Sequence, residues 1–172
     1  MKTILLAVVL TIIAISTAGA QVTGTYTSTD SKKCRTIRAT ASGAGSYVGE
    51  CAGVGGFKAR VIEGDLRQTI DIVTPAGKRF ELNFWSFYPG FSAVGEKIEW
   101  RSKGGVPFAI IVRYNVADPE DSQKSTSYLM VAKIGKAGAC VTDVVEPSTG
   151  QNARARELGD TAGARGCKAV NE

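Results

Sequence analysis

The chain has no histidine among its 172 residues. This removes Ser-His-Asp and Cys-His nucleophilic machinery, together with the commonest protein ligand for transition metals. Its four cysteines, Cys34, Cys51, Cys140 and Cys167, form no C-x-x-C pair, so no zinc site is expected. The G-x-x-x-x-G-K-[ST] motif does not occur. Neither Gly53-Val54-Gly55-Gly56 nor Gly43-Ala44-Gly45 leads into a helix, because β-patterned residues follow both, so no phosphate cradle is expected. The net charge of +5 is dispersed, without a long run of Lys and Arg. That argues against a nucleic-acid partner and leaves weak attraction to anionic surfaces. No catalytic residue, metal or cofactor is assigned on these grounds, and any enzyme chemistry would fall to carboxylate pairs, Lys or Tyr.

What the chain does have begins at its start. Lys2 precedes an apolar run from Ile4 to about Ile15, and Ala18-Gly19-Ala20 precedes Gln21. This is the grammar of a secretory signal, with cleavage after Ala20. The run is shorter than the roughly 20 apolar residues of a spanning helix, so no membrane span is expected once residues 1–20 are removed. Residues 21–172 then make one ordinary domain. An even number of cysteines in an exported chain reads as disulfides. Three pairings are open, and Cys34–Cys51 with Cys140–Cys167 is favoured because each closes a short ring between neighbouring segments. A periplasmic or secreted location follows.

From Gln21 onward the pattern has a period of two with turn punctuation. Strands are expected at Val22 to Ser28, Cys34 to Thr40, Ser46 to Cys51, Phe57 to Glu63 and Leu66 to Val73. Gly64-Asp65 reads as the loop of the last hairpin. Lys78 to Trp85 is the cleanest amphipathic stretch, with Phe80, Leu82 and Phe84 on one face. Further strands are expected around Ile98 and Trp100, at Val106 to Val116 with Phe108, Ile110, Val112 and Tyr114 inward, at Tyr128 to Ile134 and at Ala139 to Val145. The period changes at the end. Ser148 and Gln151 suggest a capping box, and Ala155, Leu158 and Ala162 form a thin apolar stripe, so a helix is expected over about residues 148–164. Gly159 and Gly163 each weaken that helix by about 1 kcal/mol. The fold class is mainly β: a single antiparallel sandwich or partly closed barrel with one C-terminal helix docked through Cys140–Cys167.

Three places carry chemistry. Trp85, Phe87, Tyr88 and Phe91 surround a Pro-Gly turn and offer a patch for a sugar or a protein, since aromatic rings dominate binding energy. Glu63 and Asp65 flank Gly64, which makes them the candidate acid pair of a hydrolase. Pairing of Asp65 with Arg67 or Arg60 at a solvated turn is the competing account. Arg154, Arg156 and Arg165 offer charge to an acidic partner or line a solvated helix face.

C-x-G-x-G-G at Cys51 to Gly56, EGDLR at Glu63 to Arg67, GEKIEWR at Gly95 to Arg101, PFAIIVRY at Pro107 to Tyr114, and NARARELGD-x-A at Asn152 to Ala162 occur together. The combination resembles a family of small uncharacterised bacterial exported proteins. The resemblance implies export and a cysteine-braced domain, and it implies no catalytic residue. The functional expectation is a non-enzymatic exported module that binds a protein or an envelope glycan, with an inhibitor-like role as one form. A carboxylate hydrolase and a structural envelope component are the alternatives.

Overall fold

A computed structural model describes residues 20–41, 43, 45–121 and 123–170. The expected signal segment, apart from Ala20, lies outside them. Ten strands are described: β1 (Val22–Ser28), β2 (Arg35–Thr40), β3 (Ser46–Ala52), β4 (Lys58–Gly64), β5 (Arg67–Val73), β6 (Arg79–Glu81), β7 (Ser92–Lys103), β8 (Val106–Ala117), β9 (Ser125–Ile134) and β10 (Ala139–Val145). One helix, α1 (Gln151–Thr161), follows and runs on into a short 3-10 turn. The strands form one sheet in the order β10-β9-β8-β7-β5-β4-β3-β2, with β1 added to β7 and β6 to β5. Adjacent strands pair antiparallel, except for a single parallel bridge between Arg67 of β5 and Ser92 of β7. The sheet curls towards a barrel without closing.

Alternation puts one side chain in two inside the curl. Ala59, Val61, Ile70, Ile72, Ile98, Trp100, Ile110, Val112, Tyr114 and Met130 pack there, all nearly or wholly buried. The two large polar rings remain satisfied: Trp100 Nε1 donates to Thr27 Oγ1 (2.7 Å) and Tyr114 OH to Ser92 Oγ (2.7 Å). The reverse side of β8 and β9 is also apolar. Ala109, Ile111, Leu129 and Val131 meet Ala155, Leu158 and Ala162 of α1 and its following turn. Gly53, between β3 and β4, lies where a Cβ would stand 2.7 Å from the Trp100 ring and 2.5 Å from Phe57 O. Its glycine therefore serves packing.

Four local expectations are corrected. Lys78 to Trp85 is not one strand, because β6 ends at Glu81 and Asn83 turns left-handed at φ 47°. The bend lets Phe84 N donate to Thr69 Oγ1 (2.9 Å) and sends the Phe84 ring edge-on against Tyr114. The β4–β5 loop is Asp65-Leu66, not Gly64-Asp65, since Gly64 pairs with Arg67 and both loop residues have positive φ. This register sets Val61 opposite Ile70 and Ala59 opposite Ile72, and burial of those pairs outweighs the turn's preference for glycine. Phe108 packs with the helix-side cluster and not inside the curl. The Ser148–Gln151 capping box does not form: Gly150 caps α1 with a left-handed backbone, and the Gln151 amide donates instead to Ser127 O and Val145 O.

Both favoured disulfides are present, Cys34–Cys51 and Cys140–Cys167. The second fastens the chain after α1 to β10, where Lys168 N also donates to Val141 O (2.8 Å). Two bridges and a β-rich fold are consistent with an exported protein. Among the described residues no helix is long and apolar enough to cross a membrane. A Cys140→Ser/Cys167→Ser variant is expected to lose about 3 kcal/mol, read as a lower urea midpoint. α1 amides should lose protection from hydrogen exchange before those of β7 and β8.

Candidate functional site

Three turns at one end of the sheet enclose a groove of about 680 Å³, lined by Asp65, Arg67, Tyr88–Phe91 and Val116–Pro119. They come from the β4–β5 hairpin, the segment entering β7 and the exit of β8. Backbone bonds fix them against one another: Ser92 N donates to Leu66 O (3.0 Å) and Ala117 N to Phe91 O (2.8 Å). The walls are mostly apolar, and Asp65, Arg67 and Asp118 supply the charge. Arg67 Nη2 donates to Asp65 Oδ2 at 2.8 Å, so the expected turn ion pair forms with Arg67, while Arg60 turns to Glu50.

The aromatic segment divides between core and groove. Phe87 and Tyr88 are half-buried against the inner cluster. Tyr88 also stacks on Tyr128 with centroids 4.0 Å apart and donates to Glu146 Oε1 (3.0 Å). Burial, followed by the Glu146 carboxylate, pushes the Tyr88 phenol up and keeps it a donor. Phe91 projects outward at 52% exposure, as does Leu66 on the hairpin tip. Trp85 faces a smaller neighbouring cavity with Gly64, Asp65 and Arg67. Four of the residues singled out by sequence, Asp65, Tyr88, Phe91 and, from next door, Trp85, are thus brought to one end of the sheet.

Glu63 is not brought to the groove. It lines a different cavity with Tyr47, Gln68 and Glu96 and accepts from the Gln68 amide, so the two carboxylates do not share a cavity. The helix arginines are engaged within the fold. Arg156 reaches Glu99 and Tyr26, Arg165 pairs with Asp143, and Arg154 with Glu157. Among the described residues no cluster of three or more Cys, Asp or Glu is arranged to hold a metal ion. Asp118 and Pro119 join the groove without a signal of their own in the sequence, because residues 117–124 read as a polar loop. No protein family, curated protein or solved structure matches the chain.

Two features of β5 and its hairpin are poorly satisfied. Leu66 holds φ 57°, a left-handed conformation that costs a branched residue about 1 kcal/mol. Asp71 on β5 is 1% exposed. Its Oδ2 has no hydrogen bond, although Arg79 Nη1 stands 3.5 Å away. Burial raises the Asp71 carboxyl from its ordinary 3.8 to about 6, with Arg79 pulling it down and Glu81 pushing it up.

Leu66→Gly is therefore expected to raise Tm by about 3 °C, measured by thermal unfolding. For Asp71 the folded state holds the proton more tightly, so stability falls as pH rises from 3.8 to about 6. Asp71→Asn should gain on the order of 3 kcal/mol over the parent at neutral pH. The advantage should vanish below the ordinary carboxyl range, as denaturant unfolding across pH will check.

Proposed function

We propose that the protein is a periplasmic or secreted, non-enzymatic binding module and that the Asp65–Tyr88–Phe91–Asp118 groove takes an envelope glycan. One observation carries the reading: a concave site of about 680 Å³ that combines aromatic rings with rim carboxylates and one arginine. That volume lies in the range of small-ligand sites. Ring faces stack on the apolar faces of sugars, and Asp65 and Asp118 accept from hydroxyl groups. The walls are held by sheet hydrogen bonds, so little ordering entropy opposes binding.

A protein partner, with an inhibitor-like role, is the second reading. It is favoured by the outward projection of both Leu66 and Phe91, because exposed apolar side chains grouped beside a cleft mark interaction surfaces.

Titration with chitin and peptidoglycan oligosaccharides, followed by Trp85-dependent fluorescence, separates the two. Phe91→Ala should weaken glycan binding about tenfold or more while leaving Tm unchanged. Absence of binding by every oligosaccharide would remove the glycan reading. Crosslinking of an envelope protein through position 91, lost on Leu66→Gly, would then support the protein partner.

A further inference from the structure

We infer that the outward face of β2–β4 is a cationic surface that binds the phosphates of an anionic lipid bilayer. Three cations converge there on one buried carboxylate. Glu50 accepts from Arg35 Nη2 (2.9 Å), Lys58 Nζ (2.9 Å) and Arg60 Nε and Nη2 (3.1 and 3.0 Å). The anion is hidden and the cations are not: the side chain of Glu50 is 5% exposed, against 69% for Arg35, 51% for Lys58 and 28% for Arg60. One negative charge beneath three positive ones leaves the spot cationic, and each cation keeps donors free for solvent or a ligand.

A bulge extends the patch. In a regular strand Arg35 and Arg38 would point to opposite faces, because they are an odd number of positions apart. The pairing of β2 with β3 slips between Thr36 and Arg38, so Arg35 lies opposite Glu50 and Arg38 opposite Val48. Glu50 and Val48 share a face of β3, hence both arginines emerge on the same side. Lys32 and Lys33 precede them, exposed, and among the described residues Lys32, Lys33 and Arg38 make no ion pair with an acid. Further along this row Glu81 pairs with Arg79, and Asp71 is buried with Arg79 Nη1 3.5 Å away.

The arrangement selects its ligand. Arg35 Nη2 and Lys58 Nζ meet at Glu50 Oε1, whereas Arg38 stands opposite Val48, two positions or about 7 Å further along β3, so the cations spread beyond the reach of a single phosphate. They rise from a sheet face, not from a concavity that would enclose a soluble anion. The outward neighbours Val48, Ala52 and Ile62 are aliphatic and bring no ring on which a nucleic-acid base would stack. A planar array of phosphates fits all three features, and adsorption would be electrostatic and salt-sensitive.

The test is co-sedimentation of the chain, as recovered after export, with phosphatidylcholine vesicles with and without phosphatidylglycerol. Binding is expected with the anionic vesicles alone and should fade as salt approaches ~0.15 M. Arg35→Gln/Arg38→Gln/Lys58→Gln, which keeps the Arg60–Glu50 pair, should weaken it roughly fivefold per charge, about a hundredfold in all. Lys32→Gln/Lys33→Gln/Arg38→Gln disturbs no ion pair and should also weaken it, which covers any folding defect of the first variant. Phe91→Ala should bind vesicles as the parent does, so failure of the groove and failure of this face are told apart. No binding at low salt, parent-like binding by both charge variants, or binding to soluble polyphosphate without binding to vesicles would overturn the assignment.

Discussion

β8 and β9 are apolar on both faces, and the rest of the architecture answers that constraint. Ile110, Val112, Met130 and Ala132 point into the curl, while Ala109, Ile111, Leu129 and Val131 point out of it. A two-faced apolar strand must be covered on both sides. Curling of the sheet covers one, and α1 covers the other with a stripe as small as Ala155, Leu158 and Ala162. So narrow a contact stabilises little, and polar ties complete the docking. Arg101 holds Asp160 through two bonds of 2.7 and 3.0 Å, and Glu99 holds Arg156. Burial would raise the Glu99 carboxyl, but bonds from Arg156 and Tyr26 and the nearby charges outweigh it and keep it low. Gly24 leaves room for this cluster, since a Cβ there would meet Arg101 Nη1 at 2.6 Å.

Local periodicity made much of this fold readable. β1 spans Val22–Ser28 as its alternation suggests, and both disulfides join segments that are close in sequence. What stayed hidden depends on distant partners. Asn83 turns left-handed because Thr69 and Tyr114 reward the bend in Phe84, and neither is visible from the Lys78–Trp85 pattern. Gly159 reads as a weak point in a helix, yet a Cβ there would stand 3.2 Å from Ile111 and 3.3 Å from Arg101. It is the glycine that lets α1 approach the sheet. The aromatic side of the groove announced itself at Tyr88 and Phe91, whereas Asp118 and Pro119 join it only through the pairing of β7 with β8.

Charge on the outer face illustrates how environment, not residue type, decides ionisation. Arg35, Glu50, Arg60, Asp71 and Glu81 lie side by side across five strands. Glu50 sits between cations, and hydrogen bonds from Lys58 and Arg35, opposed by burial and reinforced by Arg60, hold its carboxyl at about 2. Asp71 has the same neighbours in principle. Arg60, however, is already committed to Glu50, and Arg79 is shared with Glu81. Alternation of sign fails at the end of the row, so burial prevails at Asp71 and its carboxyl rises to about 6.

Strain and exposure coincide at the hairpin tip for a reason that reaches beyond the turn. A left-handed pair at Asp65-Leu66 would be most easily made with glycine in the second position, and the chain places a half-exposed leucine there. Leu66 O accepts from Ser92 N (3.0 Å), which ties the strained tip to the segment entering β7. The cationic face rises from other strands, β2 to β4, and its ordering depends on Glu50, not on the groove. The proposed adsorption through that face would leave the loops around Phe91 free, and the two proposed surfaces would answer to different variables: ionic strength for the first, and shape and apolar contact for the second.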